Sequence, residues 1–231
     1  MFKKIRDFFY RLVDCIFPKF CIECKKEGEF LCEECFNKIR KFKNPEFKNI
    51  DSGLFKMIII PCPFHKNPVL RKGLHAMKYK FYKEICGILA MLIKEAINGI
   101  CELKAAERLI IVPMPLHKKR IKFRGFNQAE ELAKHTGLPV FNLLIRIKQT
   151  KSQATLTKTQ RMQNIKDAFC INPKIPPDTV SKNTTIILLD DVCTTFSTIR
   201  SAALALQKNG FRKIIACAAA YAELHQNNRN K

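Results

Sequence analysis

Hydrophobic positions in the second half of the chain fall into short runs separated by polar or turn residues. The runs are RLIIVP (108–113), LPVF (138–141), TIILLD (185–190) and KIIACAAA (213–220). Amphipathic segments lie between several of these runs, over residues 127–135 and 198–208. Continuous apolar strands that alternate with amphipathic helices are typical of a parallel sheet covered on both faces. The pattern therefore predicts an α/β domain.

The first half of the chain predicts three further elements. Residues 2–17 place apolar side chains at helical spacing opposite Lys and Arg, and Pro18 ends this predicted helix. Residues 57–64 (MIIIPCPF) predict a strand, and the i, i+3, i+4, i+7 apolar series over residues 85–97 predicts a helix. A basic amphipathic helix such as 2–17 can lie on a membrane surface. It more often covers a neighbouring domain, so we do not expect membrane contact.

Composition and cysteine usage indicate a folded protein of a reducing compartment. Of the 231 residues, 47% are hydrophobic and 27% are charged, which allows a packed core and argues against global disorder. No apolar run approaches the roughly 18 residues of a membrane-spanning helix, and charged residues interrupt the N-terminal segment where a signal peptide would be apolar. The cysteine count is odd, at 11, and the scattered cysteines lie mostly in apolar contexts. We therefore expect a cytoplasmic protein.

The chain carries a large excess of positive charge. There are 42 Lys and Arg against 20 Asp and Glu, a net charge of +22. Three segments, 65–83, 117–125 and 146–166, contain several basic residues and no acidic one. The excess favours a polyanionic partner such as nucleic acid, a phosphorylated metabolite or an acidic membrane face. A general lysine-rich bias is the alternative, and it would make these segments ordinary solvated surface.

Four cysteines near the N-terminus have the spacing of a metal site. They form two C-x2-C pairs separated by seven residues: Cys21, Cys24, Cys32 and Cys35. Each pair can direct two thiolates to one centre, and two pairs complete the tetrahedral four-cysteine site of structural zinc. Disulfides and an iron–sulfur cluster are the alternatives, which a reducing compartment and the symmetric spacing respectively disfavour. Because so short a segment buries little core, bound metal is expected to supply much of its folding energy.

The stretch IILLDDVCTTFSTIRSAALAL (186–206) is the most informative part of the sequence. A buried strand is predicted to end at Asp190 and Asp191, and hydroxyl side chains then lead into a helix. The N-terminus of that helix favours a phosphate, and the two carboxylates can bind vicinal sugar hydroxyls or hydrated Mg²⁺. Ligands of parallel sheets bind beyond the carboxyl ends of the strands, where this stretch lies. Simple helix capping and a turn are the alternative.

The same stretch resembles the phosphoribosyl-diphosphate (PRPP) motif of type I phosphoribosyltransferases, and the whole chain resembles ComF-type competence proteins. The resemblance spans most of residues 17–222. It is carried by FPKFCIECKKEGEFLCEEC (17–35), LHAMKYKF (74–81), VPMPLHKKRIKFRGFNQAEELA (112–133), QTKSQATLTKTQRMQNIKDAF (149–169) and IILLDDVCTTFST (186–198). It implies a basic amphipathic helix over 1–18, a zinc module over 19–40 and a type I phosphoribosyltransferase-like domain over 54–225. Within that domain, a basic hood and helix would occupy 54–100 and a parallel sheet flanked by helices would form the core, 105–225.

The resemblance also implies roles for individual residues. The acidic pair would contact the ribose hydroxyls as the catalytic carboxylates, with Mg²⁺ bound alongside PRPP. The loop that follows would hold the 5′-phosphate; it comprises Val192, Cys193, Thr194, Thr195, Phe196, Ser197 and Thr198. The pyrophosphate side would be formed by His117, Lys118, Arg120 and Arg124. Residues 146–166, with Arg161, resemble the mobile loop that covers PRPP in related transferases.

One position departs from the family pattern. The family usually has Thr-Thr-Gly in this loop, and Phe196 stands in place of the glycine. Glycine permits a positive φ and close approach to a phosphate, whereas a bulky residue in that conformation costs about 1–2 kcal/mol. Phe196 is therefore expected either to strain the loop or to hold it by packing its ring beneath.

Three functions are compatible with these patterns. The resemblance implies a PRPP-binding protein that acts on single-stranded DNA during natural transformation, with aromatics beside the basic segments stacking bases; these are Tyr79, Phe81, Tyr82, Phe123 and Phe126. Aromatic spacing alone fits core positions equally well. The second function is a Mg²⁺-dependent phosphoribosyltransferase of nucleotide metabolism, for which no acceptor pocket is evident. The third is an adaptor whose zinc module binds a DNA-uptake helicase or channel protein.

Overall fold

The fold is taken from a computed structural model, which describes residues 18–41, 46–48, 54–80, 82–104, 106–148, 167–194 and 196–222. The predicted helix over residues 2–17 and most of the basic segment 146–166 lie outside the described residues. No described helix has both the length and the apolar character needed to cross a membrane.

A mostly parallel sheet forms the centre of the molecule. Its described strands are β1 (Glu46–Lys48), β2 (Met57–Ile60), β3 (Cys62–Pro63), β4 (Leu109–Pro113), β7 (Thr185–Cys193) and β8 (Ile214–Tyr221). The order across the sheet is β1-β2-β8-β7-β4, with β3 also pairing with β8. Only the edge pair β1–β2 is antiparallel; the pairs involving β7 and β8 are parallel. A separate antiparallel pair joins β5 (Leu144–Arg146) to β6 (Phe169–Ile171).

Helices cover both faces of this sheet, as the sequence predicts. They are α1 (Glu33–Lys41), α2 (Pro68–Tyr79), α3 (Glu84–Asn98), α4 (Cys101–Lys104), α5 (Lys118–Arg124), α6 (Gln128–Lys134) and α7 (Ser197–Lys208). Helices α3, α6 and α7 coincide with the predicted helical segments 85–97, 127–135 and 198–208. The mixed α/β class and the flanked parallel sheet are confirmed.

The alternation of side chains along β7 divides the core into two clusters. Ile187 and Leu189 point to the face covered by α2, α3 and α6. Ile186 and Leu188 point to the opposite face, which α7, β5 and β6 cover. The cysteine segment belongs to the first cluster, since Leu31, Cys35, Phe36 and Ile39 are buried together with residues of α2 and α3. It therefore folds against the main domain, so metal is not the only source of its stability.

Three predicted strands differ in extent, for local reasons. The run 57–64 is divided into β2 and β3 around Pro61. The run 138–141 makes only an isolated bridge between Ile111 and Val140, because Pro139 has no backbone N–H to donate and the chain then turns. Strand β7 is longer than predicted and ends at Cys193, so the acidic pair lies within the strand.

Candidate functional site

The four N-terminal cysteines come together as the spacing predicts. The Sγ atoms of Cys21, Cys24, Cys32 and Cys35 all lie within 4.8 Å of one another, and those of Cys24 and Cys32 are 3.6 Å apart. Tetrahedral coordination at about 2.3 Å from metal to sulfur requires sulfur–sulfur distances of about 3.8 Å. The donor set and its spacing therefore fit a metal ion such as zinc, held by four protein ligands.

Local backbone structure positions these thiols. The first pair lies in a turn closed by hydrogen bonds from the Lys25 amide to the Cys21 carbonyl and from the Cys21 amide to the Lys26 carbonyl. Lys25 takes a left-handed φ of 65° at this turn. The second pair lies at the start of α1, where the Phe36 amide donates to the Cys32 carbonyl. A turn facing a helix start brings both pairs to one point.

The thiols differ in acidity before any metal binds. Burial raises the pKa of the Cys21 thiol, but backbone hydrogen bonds from Cys32, Cys24 and Glu23 outweigh burial and lower this pKa to about 6. Burial together with the neighbouring thiols raises the pKa of Cys35 to about 12. Four adjacent thiolates repel one another, so the fully ionised cluster needs a bound cation.

The second site is a cavity at the carboxyl ends of the parallel strands. It has a volume of about 360 Å³. Six residues predicted from the sequence line it: Arg120, Arg124, Asp190, Asp191, Val192 and Thr198. Four more polar side chains line it: Lys78, Asn127 and Gln128, which sequence reasoning did not assign to the site, and Arg146, the first residue of the segment expected to cover it. The cavity thus combines two carboxylates with four basic groups.

Lys78 acts on both carboxylates of the acidic pair, and Arg146 acts on Asp190 as well. Asp191 continues the face covered by α2, and its Oδ1 lies 3.1 Å from the Lys78 ammonium of that helix. Asp190, the preceding residue of β7, is acted on electrostatically by Lys78 and by Arg146 at the end of β5. Each carboxylate also accepts a backbone hydrogen bond from the residue that follows it, at 2.8 Å for Asp190 and 2.6 Å for Asp191.

Burial and like charges shift the acidity of these groups. Burial, reinforced by the neighbouring Asp191, raises the pKa of Asp190 to about 7, although Lys78 and Arg146 oppose the shift. Burial and the nearby Arg120 lower the pKa of Arg146 to about 10. Burial and Arg124 lower the pKa of Arg120 as well. Cations that crowd one another in this way are stabilised by an anionic ligand with several charges.

The RGFNQ stretch (124–128) turns the chain so that three of its residues, Arg124, Asn127 and Gln128, line the cavity. Gly125 ends α5 with a left-handed φ of 73°, and Asn127 begins α6 by accepting from the Ala129 amide and donating to the Met114 carbonyl at 3.0 Å. Arg124 then donates to the Gln128 Oε1 at 3.2 Å. The Gln128 side chain is buried, and its amide nitrogen has no hydrogen-bond partner among the described residues.

The remaining predicted residues lie around this cavity or outside the described residues. His117 begins α5, where its Nδ1 accepts from the Lys119 amide at 3.3 Å, and Lys118 is exposed beside it. Neither lines the cavity. Cys193 and Ser197 are buried, and Thr194 is half-buried. Thr195 and Arg161 lie outside the described residues.

Phe196 combines the two properties expected at this position. Its backbone is left-handed, with φ 55° and ψ −2°, and it directly precedes α7. Its ring stacks on Tyr221 at a centroid distance of 5.5 Å and packs against the second core cluster. The ring therefore stabilises a loop whose backbone favours glycine.

The chain has relatives among known proteins. No family model matches the chain. The chain is 30% identical over 213 residues to competence protein F of Haemophilus influenzae, covering 86% of this chain and 82% of that protein. It is 36% identical over 104 residues to competence protein ComFC of Bacillus subtilis, covering 45% of this chain and 40% of that protein.

A third relative carries a name that refers to DNA. DNA utilization protein YhgH of Salmonella typhimurium is 30% identical over 151 residues, covering 62% of this chain and 63% of that protein. The match to competence protein F covers more than four fifths of both chains. This chain belongs to the competence protein F family.

Proposed function

We propose that this protein binds a ribose phosphate, PRPP with Mg²⁺, in the cavity around Asp190 and Asp191 and acts in the uptake or handling of DNA. The observation that supports the ligand is the placement of Asp190 and Asp191 near the carboxyl end of a central parallel strand, among four basic side chains. Carboxylates suit ribose hydroxyls and a hydrated Mg²⁺, and the surrounding cations suit a pyrophosphate.

Different residues of the cavity would contact different parts of the ligand. Asp190 and Asp191 would hold the ribose hydroxyls and share the metal, so Lys78 would exchange its contact with Asp191 for one with a phosphate oxygen. Arg120, Arg124 and the Gln128 amide would donate to the pyrophosphate, with His117 and Lys118 adding positive potential from outside the cavity. The loop from Val192 to Thr198 would receive the 5′-phosphate, and residues 146–166 with Arg161 would cover it.

The DNA role is supported by the names of the relatives and by charge. Those names refer to competence and to DNA utilization. The net charge of +22 suits a polyanion, and single-stranded DNA is the form that exposes its bases for contact. The described cysteines are free thiols, which suits the cytoplasm. We further propose that residues 19–40 act as a zinc module and 54–225 as a phosphoribosyltransferase-like domain.

Catalysis by the same cavity is the second candidate. Cations aimed at a leaving pyrophosphate would stabilise the charge that develops as the bond at ribose C1 breaks, and Mg²⁺ would supply further neutralisation. The crowding of Arg120, Arg124 and Arg146 favours this hypothesis, because a group that acquires negative charge relieves their repulsion.

Calorimetric titration tests the ligand directly. PRPP with Mg²⁺ should bind more tightly than ribose 5-phosphate or pyrophosphate alone, because each fragment engages only one side of the cavity. Arg120→Gln should weaken PRPP and pyrophosphate binding and leave ribose 5-phosphate unchanged. Arg212→Gln is a matched control in the exposed turn before β8, away from the cavity. Equal binding of PRPP with and without Mg²⁺ would contradict the proposal.

A further inference from the structure

Two exposed aromatic side chains lie beside the cavity around Asp190 and Asp191. Phe123 lines the cavity mouth with 69% of its surface exposed. Tyr79, the last residue of α2, is 54% exposed, and the Arg124 guanidinium lies 5.8 Å from the centre of its ring. Aromatic rings of this size contribute strongly to packing when they are covered. Two such rings at the rim of a charged cavity indicate a ligand that covers them.

Tyr79 and Phe123 differ in exposure from the other aromatic residues of the basic segments. Tyr82 stacks on Phe30 at a centroid distance of 3.9 Å, and Phe126 packs against the first core cluster. Phe81 lies outside the described residues. Tyr79 and Phe123 are therefore the described aromatics of these segments that present most of their surface to a ligand.

Helix α5, which carries Phe123, has an unusual composition for its position. Its sequence is KKRIKFR, and none of its seven residues is buried. Ile121 is 40% exposed on the same helix. A short helix that buries no face gains little from packing, and five adjacent cations repel one another. A polyanion lying along α5 would relieve that repulsion and cover the apolar side chains.

A second basic surface continues from Tyr79 towards the cysteine segment. The His75 ring contacts the Tyr79 ring at a centroid distance of 4.7 Å. His75 also lines a groove with Lys25 of the cysteine turn and with Arg71 and Lys80 of α2 and its C-terminal end. Basic side chains thus lie on both sides of the exposed aromatics, as in grooves that follow a nucleic-acid backbone.

We propose that the rim formed by Tyr79, Phe123, Arg124 and the exposed lysines of α5 is a base-stacking surface for single-stranded nucleic acid. A base stacks on Phe123 at the cavity mouth, and the adjacent phosphates lie along Lys118, Lys119 and Lys122. This inference rests on the proposed DNA role and adds the place and mode of contact. A strand seated there covers the cavity, so strand and ribose-phosphate binding are thermodynamically linked. A duplex hides its base faces and is a poorer ligand.

A tryptophan reporter tests the contact, since the chain contains no Trp. In Phe123→Trp, titration with an oligothymidylate should quench the fluorescence as a base stacks on the indole. The control is Leu204→Trp, which places the reporter at a 46% exposed position of α7. Its fluorescence should not change on titration with the same strand. Equal quenching of both reporters, or quenching of neither while the strand binds, would overturn the inference.

Alanine variants measure the contribution of stacking. Phe123→Ala should weaken oligothymidylate binding by about 5- to 150-fold, the range for loss of one stacked base. The slope of log affinity against log salt should stay the same, because the phosphate contacts remain. Leu204→Ala should bind like the wild type. Unchanged affinity in Phe123→Ala would rule out this surface as the stacking site without contradicting the DNA role. An absence of binding by wild type at low salt would contradict the DNA role itself.

Discussion

The cysteine cluster and the cavity around Asp190 and Asp191 assemble their functional side chains in opposite ways. All four thiols come from residues 21–35, which bring them within 4.8 Å through one turn and one helix start. The cavity takes its charged groups from four distant segments: Lys78 on α2, Arg120 and Arg124 on α5, Arg146 on β5 and the acidic pair on β7. One site depends on local structure, and the other depends on the packing of the whole domain.

The two sites also differ in how their charges are neutralised when no ligand is bound. The cluster contains one kind of donor, and ionised thiols have no positive partner inside it. The cavity contains both signs of charge, and Lys78 already holds Asp191 at 3.1 Å. We therefore expect the loss of one ligand residue to abolish metal binding by the cluster, whereas single changes in the cavity should have graded effects.

Helix α2 connects the two regions. Lys72 contacts Glu23 of the cysteine turn at 2.8 Å, and the Asn67 side chain at the helix start donates to the Ile39 carbonyl of α1 at 3.4 Å. Lys78 on the same helix reaches the acidic pair. Displacement of the cysteine segment would therefore move a residue of the cavity.

The largest effect is expected from breaking the cluster. Purified protein should contain about one zinc per chain, and Cys24→Ser or Cys32→Ser should lose both the metal and most of the soluble yield. Cys101→Ser is the matched control, because Cys101 is exposed and lies outside the cluster. Metal analysis of the soluble protein checks this. Folded, soluble wild type without stoichiometric zinc would contradict the assignment.

Removing both carboxylates should have the next largest effect. Asp190→Asn combined with Asp191→Asn should abolish Mg²⁺-dependent PRPP binding, a loss of more than about 100-fold, because two oxygen donors and their charge are lost together. Either single change should give an intermediate affinity. Asp178→Asn, on an exposed turn, is the control for a lost carboxylate. Calorimetry in which the double variant binds normally would exclude the acidic pair from the site.

Reversing charge on α5 should have a smaller but broad effect. Lys118, Lys119 and Lys122 changed to Glu should weaken single-stranded DNA binding at low salt by about 10- to 100-fold, regardless of sequence. The dependence of log affinity on log salt should flatten by about 2, because three phosphate contacts are lost. Fluorescence anisotropy over a salt series measures both quantities. Binding that does not depend on salt would contradict a role for phosphate contacts.

The raised pKa of Asp190 predicts a dependence of stability on pH. Because the folded-state pKa of about 7 exceeds the ordinary 3.8, the folded protein holds a proton that the unfolded chain releases. The stabilising contribution is full below about pH 3.8 and is lost as pH rises through about 7. Raising the pH from about 5 to about 8 should therefore cost wild type about 1–2 kcal/mol relative to Asp190→Asn, allowing for partial solvent access.

Urea denaturation of both proteins at the two pH values measures this difference. Asp178→Asn should follow the wild type at both pH values, since that carboxyl is exposed. A difference between wild type and Asp190→Asn that does not change with pH would show that the folded protein does not raise the pKa of this group.

The smallest effect is expected at Phe196. Replacement by glycine relieves left-handed strain of about 1–2 kcal/mol, but it removes the ring contact with Tyr221 and adds freedom to the unfolded chain. These effects offset each other, so we expect Phe196→Gly to weaken PRPP binding by less than about tenfold. Asn tolerates the left-handed backbone but lacks the conformational freedom of glycine. Phe196→Asn therefore separates the relief of strain from the added freedom of the unfolded chain. Tighter binding by the glycine variant in a PRPP titration would instead support strain.

The sequence by itself determined the features that depend on neighbours in the chain. The two C-x2-C pairs predict the cluster, because the two residues between the cysteines of each pair can form only a short turn or a helix start. The apolar runs predict β4, β7 and β8, because a strand buried on both faces needs an uninterrupted apolar segment. The motif around Asp190 and Asp191 likewise places the acidic pair on the strand that the structure assigns to it.

The tertiary structure alone decided which distant groups meet. No local pattern around Lys78 or Gln128 assigns either side chain to the cavity, and Arg146 is expected from the sequence only as part of a covering loop. Hydrophobic packing of α2, α5, α6 and β5 on the sheet brings the three together. The same packing buried Tyr82 and Phe126 and left Tyr79 and Phe123 exposed, a choice that the aromatic spacing left open. Local patterns specify the type of each element, whereas side-chain neighbours depend on the free energy of the assembled core.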